Sequence, residues 1–461
     1  MVGLSGQSQN VKIELTSHNS KLSKTTEQFY IDNDGQHTVM IEQTGTIGKK
    51  TSLVKYNSDM AEVMRVELNN KNINCLGGYV NGSYIDLLVS LTTDTEMQVY
   101  RERRDINSLQ PVGEKTELAS YSGDKNDKFD FLIAVSPNQK LLAALYIADR
   151  TLQGVDMKVS LYNQELEEYW SLPTTSRYID GFHVTDNGDV IITHNIGKYT
   201  IIDGEKAEYV EFTVPEEENK NINEHTLVNY VDGKIISAAT LSKHNLTGFS
   251  MNVVESINTY CFDTKNKTTT VDKHPTNQYE CNRLGNNKEG KTSEPGILFN
   301  FSFCQTLADK DGAYLMGDES WKTESNSSAS TFTRYGIMIL RIDNIQWSKA
   351  MRLYQVASFK DKRYLNQNWV RTTDGIMTVK ADNASNAEIS QEKKVKQYNT
   401  FQSNSMLTVM TLDAQGNEKR SYMPIKNQAI LGSVHLTDTP GQFIAILNGT
   451  SKGQAAKITI E

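Results

Sequence analysis

The chain has 461 residues, a formal net charge of −8 and 38% hydrophobic residues. The acidic balance excludes a general nucleic-acid binder, which needs a basic surface to neutralise phosphates. No apolar run approaches the ~20 residues needed to cross a bilayer as a helix, so no transmembrane segment is expected. The basic clusters Arg101-Glu102-Arg103-Arg104 and Lys393-Lys394-Val395-Lys396 read as solvated faces.

Taken in order, the sequence repeats one pattern: apolar residues alternate with period two and are interrupted by Asp, Asn and Gly. That pattern predicts antiparallel strands joined by tight turns. A lone strand is expected over 10–17, with Val11, Ile13 and Leu15 on one face. Seven four-stranded units follow, at about 27–68, 73–118, 129–172, 181–214, 227–273, 299–353 and 365–423. The last unit, about 431–460, has only three strands and leaves the N-terminal strand to complete it. Consecutive four-stranded units predict an all-β β-propeller as a single domain. The count is eight blades, or seven if the second or fifth unit is misread, with the ring closed by the N-terminal strand joining the last blade.

Proline placement agrees. Pro173, Pro215, Pro275 and Pro424 each follow an expected fourth strand, where a residue without an N–H does least harm. A series of β-sandwiches would instead call for a Pro/Gly/Ser linker between domains, and none is visible.

Motifs that carry chemistry are scarce. Asp32-Asn33-Asp34-Gly35, Asp186-Asn187-Gly188-Asp189 and Asp309-Lys310-Asp311-Gly312 resemble the start of a calcium loop, but Gln43, Gly197 and Ser320 stand where its terminal Glu belongs. They read as turns between first and second strands. Cys75, Cys261, Cys281 and Cys304 lack metal-ligand spacing. Buried free thiols are the plainer reading, although Cys261 and Cys281 are near enough in sequence to bridge. His183 and His194 share a unit and could approach each other. No metal or cofactor is expected.

The insertions are more informative. In a propeller the connections between second and third strands, and those between blades, emerge on one face. Here 242–256, 318–333 and 382–405 are long second-to-third connections, and 275–296 is a long link between blades. They come from neighbouring units five, six and seven, and long loops on a rigid scaffold are where binding resides. The expected binding residues on that face are Trp321, Arg334, Tyr398 and Phe401, with His244 and Tyr279 beside them, because aromatics and arginine are the usual anchors of interfaces.

Two fragments are similar to a known family. Ser136-Pro137-Asn138-Gln139-Lys140 resembles the S-P-D-G-K turn of bacterial TolB-like propellers, with Asn-Gln in place of Asp-Gly. Ile345-Gln346-Trp347-Ser348-Lys349 resembles the I-x-W-x-K strand of exported bacterial propeller repeats. The resemblance implies an extracytoplasmic binding or scaffold propeller and transfers no catalytic residue. The N-terminus is compatible both with the remnant of an export signal and with a plain flexible start. The expected function is therefore a non-enzymatic module, exported or associated with the cell envelope, that binds a protein or glycan. The alternative is a polysaccharide hydrolase or lyase with acidic residues converging on the axial pocket.

Overall fold

The computed structural model describes residues 11–16, 25–33, 37–44, 50–68, 73–93, 95–123, 128–150, 154–174, 179–218, 220–243, 253–275, 298–299, 301–309, 312–323, 331–342, 347–358, 369–387, 395–400, 402–436, 441–449 and 452–460. Among these residues the regular structure is all strand apart from two short 3-10 turns. No helix of the described residues is long and apolar enough to cross a membrane.

The strands form a series of antiparallel meanders. Sheet one is Thr25–Asn33, His37–Thr44, Lys50–Asn57 and Glu62–Glu67, paired in that order. Sheets two to five repeat it over 73–122, 128–174, 179–213 and 220–275. Sheet six is Phe301–Asp309, Gly312–Thr323, Thr331–Ile342 and Trp347–Ser358, and sheet seven is Trp369–Thr372, Gly375–Asn383, Ser405–Asp413 and Glu418–Pro424. The last sheet contains Gln428–Leu436, Gln442–Gly449 and Gln454–Ile460, and its outermost strand is Val11–Leu15, with Val11 opposite Ile460.

Packing turns the series into a propeller. Each apolar cluster is shared by two consecutive sheets. Val39, Ile41 and Leu53 of sheet one meet Ile85, Leu87 and Val89 of sheet two, and the pattern continues to sheets seven and eight. One further cluster joins last to first: Ala429, Ile444 and Ile446 pack on Met40, Val54 and Tyr56. The first strands of most neighbouring sheets touch one another, and Gln428–Leu436 touches Thr25–Asn33.

This arrangement explains the hydrophobic patterning. Second and third strands lie between two neighbouring sheets and are buried on both faces, as in His37–Thr44 and Gly375–Asn383. Such strands read as continuous apolar runs. Fourth strands, such as Glu418–Pro424, alternate between exposed and half-buried positions. Pro173, Pro275 and Pro424 lie within these outer strands, at or near their ends, rather than after them; Pro215 follows Tyr209–Thr213.

A second turn signature emerges at the end of the third strands. Asn57, Asp105, Asn163, Asp203, Asp263 and Asp413 each turn a side-chain oxygen onto backbone N–H groups two to four residues on. Each of these turns closes through a left-handed residue: Met60, Leu109, Leu166, Ala207, Lys267 or Gly416. The same structural device thus recurs in six sheets with little sequence identity.

The arginine cluster at 101–104 is not a solvated face. Its third strand is covered on both sides, so the charges are paired inside. Arg103 grips the fully buried Asp86 with Nε and Nη2, both at 2.8 Å, while Arg104 is buried and bonded to Glu102 and the Leu109 carbonyl. The acidic first-to-second turns serve the scaffold where they are described: Asp186 Oδ1 accepts from the Asn138 backbone N–H of the neighbouring sheet at 2.8 Å. Cys75, Cys261 and Cys304 carry free thiols, and Cys281 lies outside the described residues.

Candidate functional site

The long connections 242–256, 318–333 and 382–405 start from the second strands of sheets five to seven, and the described part of 318–333 is strand. The polar stretch 318–333 continues the hairpin: Gly312–Thr323 and Thr331–Ile342 stay paired out to Thr323 opposite Thr331. Trp321 pairs with Thr333, and Arg334 stands opposite Ser320 and Gln355. Arg334 is buried, with Nε 2.7 Å from Asp318 Oδ2. In the described part of the stretch, polarity is compatible with strand because Asp318 is neutralised by Arg334. In the connection 242–256, Val253–Val254 pairs with Leu298–Phe299, which leads into sheet six.

Tyr398 also departs from expectation. Its side chain is fully buried among Met377, Val379 and Leu407. Arg334 and Tyr398 therefore support the face from beneath and do not rim it. His244, Tyr279 and Phe401 lie outside the described residues.

What the sequence did not reveal is how the described arms of the connection, 384–387 and 395–400, are held. Asn386 is buried and clamps both of its arms: Nδ2 donates to Asp382 Oδ1 at 2.7 Å and to the Lys396 carbonyl at 2.9 Å, and Oδ1 accepts from Lys396 N–H at 2.7 Å. Lys380, itself buried, neutralises Asp382 at 2.7 Å. The segment Tyr398–Asn399 then crosses to sheet six and pairs in parallel with Gln355 and Val356 as a fifth strand. Gln355 reciprocates, donating Nε2 to the Ala381 carbonyl at 3.0 Å. Lys396 and Asn399 remain exposed on this docked segment.

A carboxylate cluster lies closer to the middle, between the first strands of sheets five and six. Glu224 Oε2 accepts from the Phe303 N–H at 2.9 Å. Burial, then the nearby Asp318 carboxylate, holds Glu224 above the ordinary carboxylate range. Cys304, at the bulge beside Phe303, is reachable by solvent yet crowded by protein, and burial pushes its thiol up to about 12. That value makes it a poor nucleophile. His194 is buried and bonded to Thr200 at 2.8 Å, and His183 pairs with Ile191 at the far end of its hairpin. Among the described residues no group of His, Cys, Asp and Glu is placed to hold a metal.

No family model matches the sequence, and no curated protein matches it. Similar solved structures include the WD40 domain of SCAP from fission yeast, at 8% identity and a TM-score of 0.45, with 97% of this chain and 98% of that one covered. The Dos1 propeller aligns at 10% identity and 0.44, over 96% and 94% of the two chains. A quinohemoprotein alcohol dehydrogenase from Pseudomonas putida aligns at 8% and 0.45, over 95% and 76%. Likeness at this level assigns no function.

Proposed function

We propose that the chain is a non-enzymatic binding propeller, exported to an extracytoplasmic compartment, that engages a protein or glycan through the long connections of sheets five to seven. One observation carries this reading. The described arms of the connection 384–404 are clamped together by buried Asn386, and Tyr398–Asn399 docks on the neighbouring sheet. A segment tied to two sheets presents its exposed residues in fixed positions, so little ordering entropy is lost on binding. The base is the series of sheets, the last completed by Val11–Leu15 and packed on the first through Ala429, Ile444 and Ile446. Site-specific photocrosslinking from Asn399 tests the reading: a discrete adduct is expected there and not from Glu205, on a third-to-fourth turn. Equal labelling from both positions would contradict it. Recovery of the native protein from the cytosol of its source cells would contradict the export half.

A second reading has its own observation. The Glu224 carboxyl, protonated more readily than an exposed one and near Asp318, with which Arg334 pairs, suits a general acid in a polysaccharide hydrolase or lyase. Product release from acidic and neutral polysaccharides that is abolished in Glu224→Gln would favour this reading. No turnover by the native protein would remove it.

A further inference from the structure

The amides around the sheet-seven connection close a ring of hydrogen bonds. Gln397 donates Nε2 to Asn399 Oδ1 at 2.7 Å, and the Asn399 N–H donates to Gln402 Oε1 at 3.0 Å. Gln402 donates Nε2 to the Asn404 carbonyl at 2.9 Å, and Asn404 donates Nδ2 to Asn383 Oδ1 at 3.1 Å. Asn383 completes the ring, donating Nδ2 to the Gln397 carbonyl at 2.8 Å. The ring is tied to backbone on both sides. Asn383 Oδ1 also accepts from the Ser385 N–H at 3.0 Å, and the Gln402 carbonyl accepts from the Asn427 N–H at 3.3 Å, on the link to sheet eight. Backbone partners fix which end of Asn383 and of Gln402 is oxygen, and Asn383 orients Asn404 in turn.

The ring leaves groups over. Gln397 Oε1, Asn399 Nδ2 and Asn404 Oδ1 have no partner among the described residues, and neither does the hydroxyl of exposed Ser403. They are neutral donors and acceptors held in place before any ligand arrives, which lowers the ordering cost of binding. A sugar hydroxyl both donates and accepts, so adjoining hydroxyls match an array of amide N–H and C=O groups. Among the described residues of the connection no exposed side chain is aromatic or arginine, the usual anchors of a protein interface. Lys396 is the only exposed charge among them. We propose that this amide ring binds a neutral oligosaccharide through its hydroxyl groups. The inference rests on the binding reading above and narrows its partner from protein or glycan to neutral glycan.

An array of neutral and acidic oligosaccharides, probed with the full chain in low salt and in about 0.5 M sodium chloride, tests the proposal. Neutral glycans should be retained equally in both. Asn399→Asp keeps the acceptor for Gln397 and exchanges the outward N–H donor for an acceptor. It should weaken retention tenfold or more with the melting temperature unchanged. Ser403→Ala, which removes one hydroxyl from an exposed position, should weaken it about threefold. Retention of acidic glycans alone, loss of retention in high salt, or full retention by a folded Asn399→Asp would each overturn the proposal. Failure to retain any glycan would overturn it too. If Asn399 then still photocrosslinked a single protein, the binding connection would stand and only the glycan assignment would fall; with no adduct either, both would fall.

Discussion

Ile13 stands opposite Ile458, and this pairing joins the first described strand to the last. Ile13, half-buried, packs with Val11 and Leu15 on a core containing Phe443 and Ile458. Replacing Ile13 with Lys puts a charge against that core and is expected to cost about 2–3 kcal/mol. Deleting 1–16 also bares the edge of Gln454–Ile460, so a lower melting temperature with self-association is expected. Thermal melts with size-exclusion chromatography check both. A truncated protein as stable and monomeric as the parent would show that the strand does not fasten the ring.

The third-to-fourth turns carry removable strain. Lys267 is exposed at φ 55° and closes the turn capped by Asp263. A side chain in the left-handed region costs about 1 kcal/mol or more relative to glycine. Lys267→Gly should therefore raise the melting temperature and Lys267→Val lower it, with urea midpoints following the same order.

Gly317 has the opposite requirement. A Cβ there would stand 2.1 Å from Phe301 Cζ, and Phe301 is fully buried. Gly317→Ala should cost about 2 kcal/mol by overpacking. Adding Phe301→Leu should recover part of that loss, giving a coupling in a double-mutant cycle. Additive effects would show that the ring moves aside freely.

Two carboxylates should give pH dependences of opposite sign. Burial raises Glu418, but Arg420 and Lys349 together outweigh it, so its pKa is held below the ordinary 4.5. Its stabilisation is present above the unfolded value and is lost as pH falls through the lower, folded value. Glu224 is raised above 4.5, so its ionisation weakens the fold as pH climbs from about 4.5 through the folded value. Glu418→Gln should therefore lower the melting temperature at neutral pH and converge with the parent in acid. Glu224→Gln, which keeps an acceptor for the Phe303 N–H, should raise it at neutral pH and likewise converge in acid.

The strand grammar was legible because its causes are local. Runs such as Leu87-Leu88-Val89 record burial on both faces, and Asp232-Gly233, with φ 51° and 74°, supplies the hairpin geometry that its sequence announces. The third-to-fourth turns were harder to see, since Met60, Leu109 and Leu166 occupy left-handed positions where glycine would have signalled a turn. Burial of Arg334 and Tyr398 was hidden for a different reason. Asp318 neutralises the first, and neighbouring strands cover the second; neither relation is encoded near the residue itself. The convergence of Arg341 and Arg371 on Tyr314 joins three strands of two sheets, so no spacing along the chain could disclose it.

The docked connection is the centre of the functional account, and charge reversal on it is the most direct test. Lys396→Glu combined with Asn399→Glu alters only exposed side chains and leaves Asn386 and Tyr398 in place. Parent and variant, matched for melting temperature, would be compared for capture of protein from native extracellular and envelope fractions and for retention on a glycan array. A specific protein or glycan should be held by the parent and reduced at least tenfold in the variant. Equal retention by both, or none by either, would contradict it.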